Sequence, residues 1–145
     1  MDQAWGIILV IFTLLIGWLM QVFVTMAPST TAKYGMVEQK SGVDRTFYLD
    51  AKGEALWDAL SLWVLPAAGI LLLLDNAWWA YFGLVGGGMY VYFAGRGIIV
   101  RRLMQRNGIT IGAPETLKLF YAFLALWGLI GLVTIGLAVA ALPLP

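Results

Sequence analysis

Stretches free of ionisable residues set the frame of this 145-residue chain. A helix needs about 20 mainly apolar residues to cross the roughly 30 Å of a bilayer's hydrocarbon at about 1.5 Å per residue. Four segments meet or approach that length: about 4–26, 56–74, 77–100 and 117–142. The second is the shortest, because only the 16 residues between Asp58 and Asp75 lack charge, and the third carries Arg96 inside its last turns. The pattern predicts an all-α polytopic membrane protein, a four-transmembrane-helix bundle, with residues 1–145 forming one membrane domain.

The connections divide into one tight turn and two polar segments. Asp75-Asn76 leaves room only for a turn, so the second and third spans form an antiparallel hairpin. The connection 27–55 is long and intersperses its charges with Tyr34, Met36, Val37, Val43, Phe47, Tyr48 and Leu49, a richer apolar content than a disordered linker carries. Phe47-Tyr48-Leu49 is expected to fold back against the bundle mouth as a partial lid. In the connection 101–116, Asn107-Gly108 suits a helix C-cap, which extends the third helix to about Arg106. Pro114-Glu115 reads as the start of the fourth, since proline loses nothing at a first helical position and a carboxylate favours the positive dipole end. Pro66, mid-span, cannot donate to the carbonyl of Leu62, which predicts a kink with Ser61 near enough to help satisfy freed backbone.

Composition agrees with the span pattern. Hydrophobic residues make up 61% of the chain and charged residues 12%, against roughly 45–50% and about 25% in soluble domains. A water-soluble enzyme is excluded, because a domain this small could not hide so much apolar surface. The chain has no cysteine and no histidine. That removes disulfides, thiolate nucleophiles, Cys/His metal sites, His-ligated haem and imidazole acid/base chemistry. No cofactor or metal is expected, and without a basic tract there is no case for nucleic acid.

Charge sets an expected orientation. Lys33, Lys40, Arg45 and Lys52 lie in the first connection, and Arg96, Arg101, Arg102, Arg106 and Lys118 lie in or beside the third, so all nine basic residues face one side. The positive-inside rule makes that side cytoplasmic, with both termini and the Asp75-Asn76 turn external, in the plasma (inner) membrane. The first span is read as uncleaved: Met1-Asp2-Gln3 lacks the basic n-region of a secretory signal, and the apolar stretch is too long for one. Trp5, Trp78, Trp79 and Trp57 fit interfacial belts, whereas Trp18, Trp63 and Trp127 lie deeper and need packing partners.

Two features carry functional expectations. Lipid tails are as apolar as leucine, so helices associate in a bilayer through close contact, and small residues mark where. Gly83 and Gly87 on the third span and Gly128 and Gly131 on the fourth predict close packing, within the bundle or across a subunit boundary. The second feature is a polar layer near the basic side, where ionisable groups inside spans are functional candidates by default. Asp58 and Arg96 fall at similar depth and are expected to form an ion pair or a water-bridged version of it, with Glu54 one helical turn from Asp58 flanking the same guanidinium. Gln21, Thr25, Ser61, Lys118 and Tyr121 share the layer. The leading functional expectation is a non-catalytic membrane protein acting by association, as a homo-oligomer or accessory subunit of a larger membrane complex. The alternative is a carrier, channel or amphiphile-binding protein that uses this pocket, with membrane lipids as its natural partners. An enzyme acting on a lipid or quinone ranks last, since no nucleophile–base pair or nucleotide-binding motif is present.

Overall fold

The computed structural model describes residues 2–34 and 40–142; Met36 and Val37 of the first connection lie outside them. Four long helices, Gln3–Met26, Arg45–Leu73, Trp79–Arg106 and Pro114–Ala141, are each long and apolar enough to cross a membrane, and no strand occurs among the described residues. The chain is an all-α, multi-pass four-helix bundle. The first helix packs on the second, the second on the third, the third on the fourth, and the fourth returns to the middle of the first. Leu9, Leu65, Tyr90, Leu124, Trp127 and Ile130 fill the space between them.

Glycine decides how near the helices come. A Cβ on Gly131 would lie 2.7 Å from the carbonyl oxygen of Gly87, and one on Gly86 would lie 2.6 Å from the backbone nitrogen of Leu65. The third helix therefore touches its two neighbours almost backbone to backbone. Gly83 faces Thr134 and Ala138, and Gly128 faces Ala94. The close packing expected at Gly83, Gly87, Gly128 and Gly131 is thus formed within one chain.

The middle of the first helix, Val10–Trp18, is wound as a π-helix rather than the plain α-helix expected, and the Leu19 N–H reaches back to the Leu14 carbonyl. Neighbouring helices bond directly to this backbone. The Tyr90 hydroxyl donates to the Thr13 carbonyl at 3.1 Å, and the Trp127 indole donates to the Phe12 carbonyl at 3.0 Å. Gly17 leaves room for both: a Cβ there would meet the Tyr90 oxygen at 3.0 Å and the Trp127 Nε1 at 3.5 Å. Trp18 donates to the Ala59 carbonyl at 2.8 Å. Trp127 and Trp18 thereby find the partners their depth required. Trp5, assigned to a belt, instead turns inward to the Thr134 hydroxyl at 3.2 Å.

The second helix corrects the expected boundary. It starts at Arg45, not near residue 56, because the Asp44 carboxylate accepts from the Thr46 N–H at 2.7 Å and caps it beyond the apolar stretch. Phe47 sits in its first turn, buried against Ile111 and Leu117 in a small second core. Leu49 points outward and is 56% exposed, so the tripeptide is a helical turn with one anchoring ring rather than a lid. The helix is interrupted at Leu62–Trp63 and resumes at Val64, one turn ahead of Pro66, where the missing N–H deprives the Leu62 carbonyl of its donor. Ser61 does not serve that carbonyl; its hydroxyl donates to Trp57 O at 2.8 Å.

Both hairpin ends are closed by paired reverse bonds. At the Asp75–Asn76 turn, Asn76 N–H donates to Leu71 O and Asp75 N–H to Leu72 O, with Asp75 at φ 52°. At the third helix's end, Ile109 N–H donates to Met104 O and Gly108 N–H to Gln105 O, with Gly108 at φ 73°. These are Schellman caps, and they end the helices where the sequence expected them to stop.

Candidate functional site

Asp50, Glu54 and Asp58 recur at every fourth position, so successive turns of the second helix present them along one face. The antiparallel third helix sets Arg96 and Arg101 against that row. Glu54 is shared between them: its Oε1 accepts from Arg96 Nη1 at 3.0 Å and its Oε2 from Arg101 Nη2 at 2.9 Å. Arg96 Nη2 donates to Asp50 Oδ1 at 2.6 Å. Arg101 also folds against its own helix to reach the Gly97 carbonyl at 3.2 Å, in space that a Cβ on Gly97 would crowd at 3.1 Å.

The expected Asp58–Arg96 ion pair is not formed. Because the second helix continues past the apolar stretch to Arg45, Asp50 and Glu54 meet the Arg96 side chain where its long stem carries the charge toward the polar end. Asp58 is left inside. It is 5% exposed, and its Oδ2 has no hydrogen-bond partner among the described residues.

Asp58 lines a cavity of about 500 Å³ between the second and third helices. Gly53, Trp57, Gly88 and Tyr92 form its exposed rim, whereas Asp58, Leu62 and Phe93 form its buried floor. Glu54, Ser61, Met89 and Arg96 complete the wall. Exposure of the rim residues means that the recess opens on the bundle's flank. Gly88 widens it, as a Cβ there would meet nothing within 4 Å.

The structure therefore brings together Asp58, Arg96, Glu54 and Ser61 and leaves out the other predicted members of the layer. Gln21 is partly buried on the first helix, outside the cavity wall. Tyr121 donates to the Gln105 side-chain oxygen at 2.9 Å beneath the Arg102 guanidinium, beside the small second core. Lys118 is exposed, and Thr25 has a buried hydroxyl without a partner among the described residues, away from the recess. Sequence reasoning missed Asp50 and Arg101 as site members, and it missed Trp57, Gly88, Tyr92 and Phe93 as walls.

Chemically, the arrangement offers an aromatic and apolar recess with one buried acidic side chain at its floor, whose Oδ2 has no hydrogen-bond partner among the described residues. The ionic row holds three carboxylates, Asp50, Glu54 and Asp58, against two guanidiniums, Arg96 and Arg101. Among the described residues, no group of three His, Cys, Asp or Glu side chains is placed to hold a metal ion. No protein-family model, curated protein or solved structure matches the chain.

Proposed function

We propose that this protein binds a membrane-resident amphiphile in the recess between its second and third helices, as a carrier or lipid-binding protein. The observation that carries the reading is Asp58, a buried acidic side chain whose Oδ2 lacks a partner on the floor of a flank-opening cavity. Leaving a buried oxygen without a hydrogen-bond partner costs about 1–3 kcal/mol, which a donor from outside the chain would recover. The rim gives an acyl chain apolar and aromatic surface, while the floor receives a headgroup.

Orientation belongs to the same proposal. With all nine Lys and Arg residues at one end, the positive-inside rule puts that end, and the recess beside it, at the cytoplasmic leaflet of the plasma (inner) membrane, with both termini external. The association reading drew its support from glycine faces. Those at Gly83, Gly87, Gly128 and Gly131 contact the same chain, so the geometry gives its weight to the recess.

Extraction into a neutral detergent, followed by mass spectrometry of what the protein retains, tests this. The wild-type protein should carry about one equivalent of an amphiphile. Gly88→Phe, which projects a ring into open space, should lose it while remaining folded. Equal retention by both proteins, or none by either, would refute the proposal.

A further inference from the structure

We infer that the headgroup taken by this recess carries an ammonium, so that the preferred ligand is a cationic or amine-bearing amphiphile; this rests on the amphiphile-binding reading above. Two features of the site converge on an ammonium. The row of side chains holds one more carboxyl group than it has guanidiniums. Arg96 donates to Asp50 and Glu54, and Arg101 to Glu54, so each guanidinium is already engaged and Asp58 is the carboxylate left over. An anionic headgroup would have to displace one of these pairs and approach Asp58 with like charge. A neutral hydroxyl could bond to Asp58 but would gain no charge–charge attraction from the acidic row.

The walls also select for a cation. Trp57, Tyr92 and Phe93 border the same cavity as Asp58, and aromatic faces attract ammonium groups through their quadrupoles, most strongly when water is excluded. Phe93 is buried, whereas Trp57 and Tyr92 stand at the rim. A ligand entering from the flank therefore passes aromatic surface before it reaches the acid. The opening faces sideways rather than along the bundle axis, so the tail of an amphiphile can remain among lipids while its head occupies the floor.

The test uses the full chain in dodecyl maltoside, a host whose headgroup is uncharged. Binding of dodecyltrimethylammonium is compared with that of dodecyl sulfate by native mass spectrometry. The wild-type protein should retain one dodecyltrimethylammonium and discriminate against the sulfate. Asp58→Asn, which keeps the shape of the side chain, should weaken the cationic probe about tenfold or more, the scale of losing one charge–charge attraction in an enclosed site. Asp58→Glu should retain much of the binding, which a purely structural role for the residue would not explain. Tetramethylammonium identifies the source of the headgroup. Displacement at equal concentration would show that the tail contributes nothing and overturn the amphiphile reading while keeping the ammonium chemistry; its absence supports an amphiphile. Equal binding of the two dodecyl probes, or an Asp58→Asn protein indistinguishable from wild type, would overturn the inference. If Gly88→Phe still abolishes binding in that case, the amphiphile recess survives without its cation preference. If Gly88→Phe also changes nothing, both readings fall.

Discussion

Gly131 and Gly87 meet so closely that a methyl group on Gly131 would lie 2.7 Å from the Gly87 carbonyl oxygen. Neither backbone can yield without moving a helix. Gly131→Ala should therefore cost about 1–3 kcal/mol, the range for overpacking. Gly136→Ala, on the same helix with nothing within 4 Å of the added carbon, should be neutral or slightly stabilising. Thermal unfolding of the two variants in one detergent decides the matter; equal midpoints would mean that the helices are not held at this distance.

Glu54 and Asp50 both serve Arg96, yet their removal should differ in consequence. The Glu54 side chain is 8% exposed and bonds two guanidiniums, whereas Asp50 is 26% exposed and bonds one. Glu54→Ala leaves enclosed positive charge without its partner and should cost roughly 3 kcal/mol or more. Asp50→Ala breaks a more solvated pair and should cost less than about 1 kcal/mol. Comparable losses in an unfolding titration would remove Glu54 from the centre of the network.

The Tyr90 hydroxyl and Gly17 should show coupled energetics. Tyr90→Phe removes the bond to the Thr13 carbonyl and should cost about 0.5–1.5 kcal/mol, in line with hydrogen bonds between membrane helices. Gly17→Ala pushes a methyl to 3.0 Å from that same hydroxyl oxygen. In the Tyr90→Phe background the obstruction is gone, so the alanine should cost less there than in wild type. A double-mutant cycle with strictly additive terms would contradict this account of the π-wound segment.

Accessibility tests the orientation directly. The chain has no cysteine, so a single introduced thiol reports alone. Ala77→Cys, exposed beside the tight turn, should react with a membrane-impermeant maleimide in intact cells, and Lys118→Cys, exposed at the other end, only after permeabilisation. The reverse pattern would invert the protein, and labelling of both from outside would break the four-span threading.

Span number, the hairpin turn and the helix ends near Arg106 and Pro114 were legible in the sequence because each depends on local chemistry: an apolar run, a cap, a proline. The second helix's beginning was not. Charge at Glu54 and Asp58 reads as a membrane boundary, but a helix does not stop where the hydrocarbon does, and the Asp44 cap was the available signal. That boundary error hid Asp50, although the spacing of Asp50, Glu54 and Asp58 was visible throughout. It also put Asp58 where Asp50 stands as the second partner of Arg96, whereas the expected Glu54 contact is formed. Gln21, on the first helix, lies outside the cavity wall, a matter of helix rotation that position along a span does not encode, and Tyr121 bonds to Gln105 beside the second core, beyond the recess. The π winding had only one trace in the sequence, a glycine at position 17 beneath two large aromatic side chains.

The Asp75–Asn76 turn joins the second and third helices through so few residues that they cannot part at that end. Any widening of the gap between them must grow toward the opposite end, as the jaws of tweezers spread away from their joint. There, the bonds from Arg96 to Asp50 and Glu54 and from Arg101 to Glu54 clasp the jaws beside the recess. On the amphiphile-binding reading proposed above, the size of guest admitted would be set by how readily those clasps release, rather than by the length or freedom of the turn.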